Sequence, residues 1–208
     1  LTKGYKNKMI LFLWEARAVC PQNWNNKFHN LFNIIFTWND KYIDNIKFFK
    51  FDWPQNPYKN KKFDIPFVEK KSLVNISMNK KSSYINELYS ERIRAIKYFE
   101  NKIPDSFDLF GYGWNKPTTL MQKLFPFLVQ NYKSYKGPVK SKWEVLPYYK
   151  FSICYENISD EFGWITEKIF DCMKSGCVPI YLDAININDY INANLFIDKR
   201  NYSNYDEL

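Results

Sequence analysis

The chain has 208 residues, 46% of them hydrophobic and 20% aromatic, with a formal net charge of +8 at pH 7. That apolar content is enough for a sizeable core and excludes a disordered or fibrous chain. Four cysteines without a Cys-x-x-Cys pair and a single histidine argue against a zinc site, and no apolar run reaches the ~18–20 residues that a membrane-spanning helix needs.

The positive balance suits polyanionic partners, nucleotide diphosphates among them. Lysines such as Lys59, Lys61, Lys62, Lys70, Lys71, Lys80 and Lys81 are scattered, however, and read as solvated surface. Zinc-finger, ribonucleoprotein and helix-turn-helix patterns are absent, so no nucleic-acid partner is expected. Cys154 and Cys172 lie in apolar stretches and read as buried free thiols, while Cys20 is free to pair in an oxidising compartment. The chain opens on Leu1 rather than Met and closes on Ser203-Asn-Tyr-Asp-Glu-Leu208, which looks like the opening of a helix; both ends suggest a piece of a longer protein.

In chain order, Met9-Ile-Leu-Phe-Leu-Trp14 is a compact apolar run that predicts a buried strand ending at Glu15. Pro21 to Asn26 reads as a loop, and Asn33-Ile-Ile-Phe-Thr-Trp38 as a second strand. Pro54, Pro57 and Pro66 mark a linker. The domain boundary is placed there, giving an N-terminal α/β part over 1–58 and a second α/β part over 59–208. A strand from Leu73 to Ser77, a helix from Ser83 to Asn101 and a strand from Phe107 to Gly111 follow, then a long irregular stretch to Leu146. Beyond it come a strand Tyr149 to Tyr155, a helix Trp164 to Lys174, a strand Val178 to Leu182, a short helix Ile187 to Ile191 and a strand Leu195 to Ile197. Strands alternating with helices predict an α/β fold with a parallel sheet and right-handed crossovers.

On the helix expected from Ser83, the residues Ile85, Leu88, Tyr89, Ile96 and Phe99 fall on one apolar stripe at 100° per residue, with Arg92 near its middle and Arg94 on the opposite side. A guanidinium on a buried stripe needs an anionic partner. Two readings stay open: a buried arginine–carboxylate pair, or a bidentate clamp on a diphosphate. In the later helix, Ile165, Ile169, Cys172 and Met173 form the core-facing stripe, with Glu167, Asp171 and Lys174 off it and Lys168 at its margin. Glu167 suits the positive end of that helix, whereas Lys168 in the first turn opposes the macrodipole unless an anion shares the site.

Tyr149-Lys-Phe-Ser-Ile-Cys-Tyr-Glu-Asn157, Gly163-Trp-Ile-Thr-Glu-Lys-Ile-Phe-Asp171 and Gly176-Cys-Val-Pro-Ile-Tyr181, in this order and at close spacing, resemble the donor-site signature of the α1,3/α1,4-fucosyltransferase family. Weaker likeness extends through Cys20-Pro-Gln-Asn-Trp24, Ile35 to Asp40, Gly111 to Pro117 and Tyr135 to Trp143. The resemblance implies a GT-B fold of two facing Rossmann-like domains, of which this chain holds the C-terminal one and part of the N-terminal one. It implies inverting transfer of fucose from GDP-fucose to a hydroxyl of a glycan acceptor, with no further cofactor and no metal. An Asp-x-Asp element of the metal-dependent kind is absent from the sequence. By resemblance, Arg92 and Lys168 bind phosphate, Glu167 the ribose hydroxyls and Asn157 the nucleotide edge. Trp164 stands where tyrosine is usual and contacts base or ribose, and Glu15 is the catalytic base. Animal members are Golgi membrane proteins, which places any anchor outside this stretch; otherwise a cytoplasmic or membrane-peripheral location follows. The family reads Tyr-Trp-Gly-Ala where this chain has Tyr181-Leu182-Asp183-Ala184. Asp183 thus adds bulk and charge near the expected pyrophosphate. That departure keeps two alternatives open: a transferase for another nucleotide sugar, and a nucleotide- or glycan-binding homologue without catalysis.

Overall fold

A computed structural model describes residues 9–55 and 65–208. The first part forms β1 (Ile10–Leu13), α1 (Asn26–His29), β2 (Ile34–Thr37) and β3 (Phe48–Lys50), a parallel sheet of order β1-β2-β3. The composition reading did not foresee β3. Asp44 starts it, because its carboxylate accepts the amides of Ile46, Lys47 and Phe48 at 2.8 Å each and turns the chain into the strand. The first strand is buried on one face only: Leu13 is inaccessible, while Ile10 and Phe12 are 52% and 50% exposed.

The second part contains β4 (Lys71–Ile76), α2 (Tyr89–Lys102), β5 (Phe107–Phe110), α3 (Leu120–Leu124), β6 (Tyr135–Gly137), β7 (Tyr149–Tyr155), α4 (Glu167–Lys174), β8 (Val178–Leu182) and β9 (Ile197–Asp198). All six strands are parallel, in the order β6-β5-β4-β7-β8-β9. The expected α/β architecture is therefore present. Alternate residues of one strand face opposite sides: Val74 and Cys154 join a core with Ile169 and Cys172 of α4, whereas Leu73, Ile153 and Tyr155 join Ala95, Ile96 and Phe99 of α2. The chain winds outward from β4 through β5 to β6, then outward the other way from β7 through β8 to β9. That reversal leaves a crevice outside the carboxyl ends of β4 and β7, where such sheets bind ligands.

Several expected boundaries shift for local reasons. Helix α2 starts at Tyr89 rather than Ser83, because Glu87 bridges to Ile158 and the Leu88 amide donates to the Asn157 carbonyl at 3.0 Å. Ile85 therefore lies outside the helix and is 91% exposed, not part of its stripe. Helix α4 starts at Glu167 rather than Trp164, since Thr166 is its N-cap and accepts the Lys168 amide. Asp171, expected off the core face, is buried. The stretch expected to be irregular holds α3 and β6, and 203–208 is irregular chain rather than the first turn of a helix. Pro179 is tolerated inside β8 because the two-residue β9 pairs only with Ile180 and Tyr181. The expected domain boundary at 58/59 lies outside the described residues.

The two parts are joined by a core of Leu13, Ala16, Trp24, Ile35 and Trp38 with Ile158 and Trp164. The Trp38 and Trp164 rings lie 4.5 Å apart, and burial of each contributes about 2–3 kcal/mol. Polar bonds add direction: Asn39 donates to Glu161 at 2.6 Å, Arg17 pairs with Glu161 at 3.3 Å, and Asn186 donates to Asp40 at 2.9 Å. Gly163 is obligatory at this seam, since its φ is 77° and a Cβ there would sit 2.4 Å from the Trp38 carbonyl oxygen. Among the described residues no helix is long and apolar enough to cross a membrane.

Candidate functional site

A cleft of about 340 Å³ opens at the crevice between β4 and β7. Its walls bring together all six residues singled out from the sequence: Glu15, Arg92, Asn157, Trp164, Glu167 and Lys168. They come from three distant stretches of chain. Glu15 follows β1 in the N-terminal part, Arg92 lies on α2, and the others lie in and after the loop from β7 to α4.

Arg92 is buried on the core-facing side of α2, as its position on the stripe predicts. It has no carboxylate partner among the described residues. Instead, one terminal nitrogen donates to the carbonyls of Tyr155 and Glu156 at 2.8 and 3.0 Å, and the guanidinium lies over the Tyr89 ring. Burial lowers its pKa while Tyr89 and Glu156 act against that shift, and arginine keeps its proton throughout. Carbonyls carry partial rather than full negative charge, so Arg92 brings net positive charge to the cleft.

Lys168 is not a lone cation at the helix start. Its ammonium donates to Glu156 at 2.8 Å and to the Thr166 hydroxyl at 2.9 Å, and Glu156 is fully buried beneath it. The macrodipole conflict is thereby answered from within the protein. Thr166 also donates its amide and hydroxyl to Glu156, each at 2.9 Å. Glu167 pairs with Lys142 at 2.9 Å, and Lys142 donates to Asp171 at 3.1 Å. Burial would raise the Glu167 carboxyl, but Lys168 and Lys142 outweigh it and hold the group down at about 2. Lys142 shifts the other way and is raised: burial works against its charge, and Glu167 and Asp171 overcome it.

Glu15 is half-buried, and among the described residues no hydrogen bond or ion pair holds its carboxylate; its backbone carbonyl accepts the Trp24 indole at 3.0 Å. It lies near enough to Tyr89, on the opposite wall, to help burial raise that phenol. The Asn157 amide side chain likewise makes no hydrogen bond among the described residues. Trp164 is 1% exposed, with its ring against Trp38 and Trp53 and its indole nitrogen unpartnered, so its largest role is in the core between the two sheets.

Sequence reasoning missed Thr166, Lys142, Lys80 and Trp53, which also line the cleft. Thr166 was legible as an N-cap before an apolar-periodic run. Lys142 sits in an irregular stretch with no periodicity to betray it. Lys80, read as solvated surface, is on the cleft wall. Lys70 and Lys71, by contrast, are engaged, donating at 2.6 Å to the Gly176 carbonyl and to Asp108. Asp183 does not line the cleft; it is buried behind it, near enough to Glu156 for the two to interact. Its φ of 113° lies in the left-handed region, a backbone conformation that favours the glycine expected at this position from the resemblance. All four cysteines are free, and among the described residues no group of three or more His, Cys, Asp or Glu side chains could hold a metal ion.

A family model described as the C-terminal region of glycosyltransferase family 10 (fucosyltransferase) matches residues 82–208. The chain belongs to that family. The match takes in Arg92, Asn157, Trp164, Glu167 and Lys168 and leaves Glu15 outside. An α-(1,3)-fucosyltransferase, FucT, of Helicobacter pylori is 38% identical over 69 residues, which are 33% of this chain and 14% of that one. An α-(1,4)-fucosyltransferase of Arabidopsis thaliana is 36% identical over 63 residues, 30% of this chain and 16% of that one. A crystal structure of an α1,3-fucosyltransferase with GDP-fucose superposes with a TM-score of 0.62 at 18% identity, covering 96% of this chain and 60% of that one. The same enzyme type with GDP gives 0.62, with 59% of that chain covered. These likenesses confirm the fold, GT-B type with a parallel-sheet α/β architecture. The family 10 chain described here spans about three fifths of the solved structures it resembles, and its curated matches span about a seventh of those proteins.

Proposed function

We propose that this chain carries the donor site of an inverting transferase that moves fucose from GDP-fucose to a hydroxyl of a glycan acceptor, α1,3-linked by family likeness. The observation that carries this reading is the convergence on one cleft of an unpartnered carboxylate from the N-terminal sheet and cationic groups from the C-terminal one. In that reading the parts over 1–58 and 59–208 are the acceptor-side and donor domains, and an anchor placing the enzyme at a Golgi membrane in a eukaryote would lie outside this stretch.

Inverting transfer is a single displacement. The acceptor oxygen attacks the anomeric carbon, Glu15 takes the proton, and the diphosphate leaves on the opposite side. The leaving charge is met by Arg92, Lys168, Lys80 and the capped N-terminus of α4, whose amides favour anions. Because Glu156 offsets much of the Lys168 charge and Lys80 is exposed to water, Arg92 supplies the largest uncompensated share that is shielded from solvent. Glu167 and Asn157, both open to the cleft, have the acceptor and donor groups that ribose and guanine edges require.

The test is to incubate the protein with a panel of nucleotide sugars and oligosaccharide acceptors and to measure fucosyl transfer by mass spectrometry. GDP-fucose is expected to be the donor. Glu15→Gln should lower kcat by about 10²–10⁴-fold, the usual worth of a general base, with GDP affinity unchanged. Turnover with only a non-GDP donor would sink the reading, and GDP binding without any transfer would favour a binding protein instead.

A further inference from the structure

Among the described residues Glu156 is the only acid with no solvent exposure. A carboxylate at that depth is costly unless it is hydrogen-bonded and paired, and here both oxygens are engaged. One oxygen accepts the Thr166 amide at 2.9 Å, the other accepts the Lys168 ammonium at 2.8 Å, and the Thr166 hydroxyl lies 2.9 Å from both. An ammonium has three donors. Lys168 spends one on Glu156 and one on the Thr166 hydroxyl, and its side chain keeps 24% exposure on the cleft wall. The third donor is left for a ligand.

We propose that Glu156 is a positioning residue of the anion site: together with Thr166 it locks the Lys168 side chain so that one N–H is presented to the cleft before an anionic ligand arrives. The inference rests on the reading of the cleft as a diphosphate site and adds a residue to it. A lysine held in this way has already lost its rotamer freedom, so the ligand is spared the cost of ordering it. The same carboxylate also subtracts positive potential from the site. Removing it therefore has two opposed consequences, and the sign of the net effect decides between them.

The experiment titrates GDP and, separately, inorganic pyrophosphate into the wild-type chain and Glu156→Gln by calorimetry, with circular dichroism to establish folding. Both ligands should bind about tenfold more weakly to the variant, in keeping with loss of a charge-assisted contact. Acetylation followed by mass spectrometry should show Lys168 reacting several-fold faster in Glu156→Gln relative to exposed Lys97. Anion binding that is unchanged or tighter in the folded variant overturns the inference, as does unchanged Lys168 labelling. If the wild type binds pyrophosphate but not GDP, and Glu156→Gln weakens it, the nucleotide reading falls and the positioning role stands. If the wild type binds neither, both fall. Should Glu156→Gln not fold, Thr166→Val removes the shared hydroxyl and should lose anion affinity in the same direction, with Thr166→Ser recovering most of it. Wild-type affinity in Thr166→Val would overturn the proposal.

Discussion

Strands β7 and β8 run side by side with Tyr155 opposite Leu182, and each is followed at its carboxyl end by a buried acid, Glu156 in one case and Asp183 in the other. Their positions in the sheet are equivalent, and the Glu156 amide even donates to the Leu182 carbonyl at 3.1 Å. Their chemistry is opposite. Glu156 has a lysine and a threonine against it, whereas one Asp183 oxygen has no partner and its backbone φ is 113°. Burial, opposed by the Ala184 amide and helped by Glu156, pushes the Asp183 carboxyl up to about 8. A buried acid keeps its charge only where partners are supplied; elsewhere it keeps its proton. The β7 end is therefore the polar, charge-bearing end of the crevice, and the β8 end is a strained and neutral support behind it.

The sharpest test of this asymmetry is Arg92→Ala. Arg92 reaches the β7 end through the Tyr155 and Glu156 carbonyls, so its loss should weaken GDP binding by about 1.5–3 kcal/mol, roughly 10- to 150-fold. The counterpart at the β8 side is Arg200, which donates to the Ala184 and Ile185 carbonyls at 3.4 and 3.3 Å. Arg200→Ala should leave GDP affinity within about twofold, since no ligand-facing group depends on it. Equal losses in calorimetry would break the comparison.

Asp183 offers the next largest effect, on stability. Asp183→Gly removes both the left-handed strain and the orphaned carboxyl, and should stabilise the fold by about 1–2 kcal/mol near neutral pH. The sign with pH follows from linkage. A carboxyl raised from its ordinary value near 4 to about 8 stabilises the fold fully below the lower value, and that contribution is lost as pH rises through the upper one. Wild-type stability should therefore fall between pH 4 and 8 by more than that of Asp183→Asn, which keeps the strain and lacks the titration. Parallel pH profiles for wild type and Asp183→Asn in urea unfolding would show that Asp183 is charged and satisfied after all.

Sequence reasoning fared unevenly across this boundary, for physical reasons. Strands β7 and β8 were legible to the residue, because fully buried parallel strands are dense in β-branched and aromatic side chains and end sharply in polar ones. Arg92 was legible because a guanidinium on an apolar stripe violates periodicity. Family likeness, rather than periodicity, supplied the roles of Glu15 and Asn157, whose short side chains at strand ends carry no local signal. Thr166 was available as a cap and passed over. The partnership of Glu156 with Lys168 was hidden, since it crosses from the end of β7 to the start of α4, and pattern rules see only neighbours within one element. Lys142 and β6 lay in a stretch whose structure is set by contacts with β5 and α4, so nothing nearby in sequence announced them. The start of α2 was misplaced for the same reason: pairing of Glu87 and Leu88 with the loop after β7 overrides their helical pattern.

The smallest expected effect separates the two cations that share Glu167. Lys168 is locked by Glu156, whereas Lys142 bridges Glu167 and Asp171 from a loop, with side chains of Lys142 and Glu167 about one third exposed. Pairs that meet water are screened, so the contribution of Lys142 to stability is small. Its influence on titration is easier to read. Glu167 is held at about 2, against the pull of burial, by Lys168 and Lys142. A depressed carboxyl stabilises the fold above its ordinary value and loses that contribution as pH falls through the lower one. Lys142→Met should therefore move the Glu167 titration upward, bringing acid destabilisation to higher pH, while GDP affinity near pH 7 changes by less than about threefold because Lys168 and Arg92 remain in place. Carboxyl-carbon NMR of Glu167 reads this directly. If its titration does not move, Lys168 alone sets the charge on Glu167, and the loop carrying Lys142 does not belong to the electrostatic unit at the end of β7.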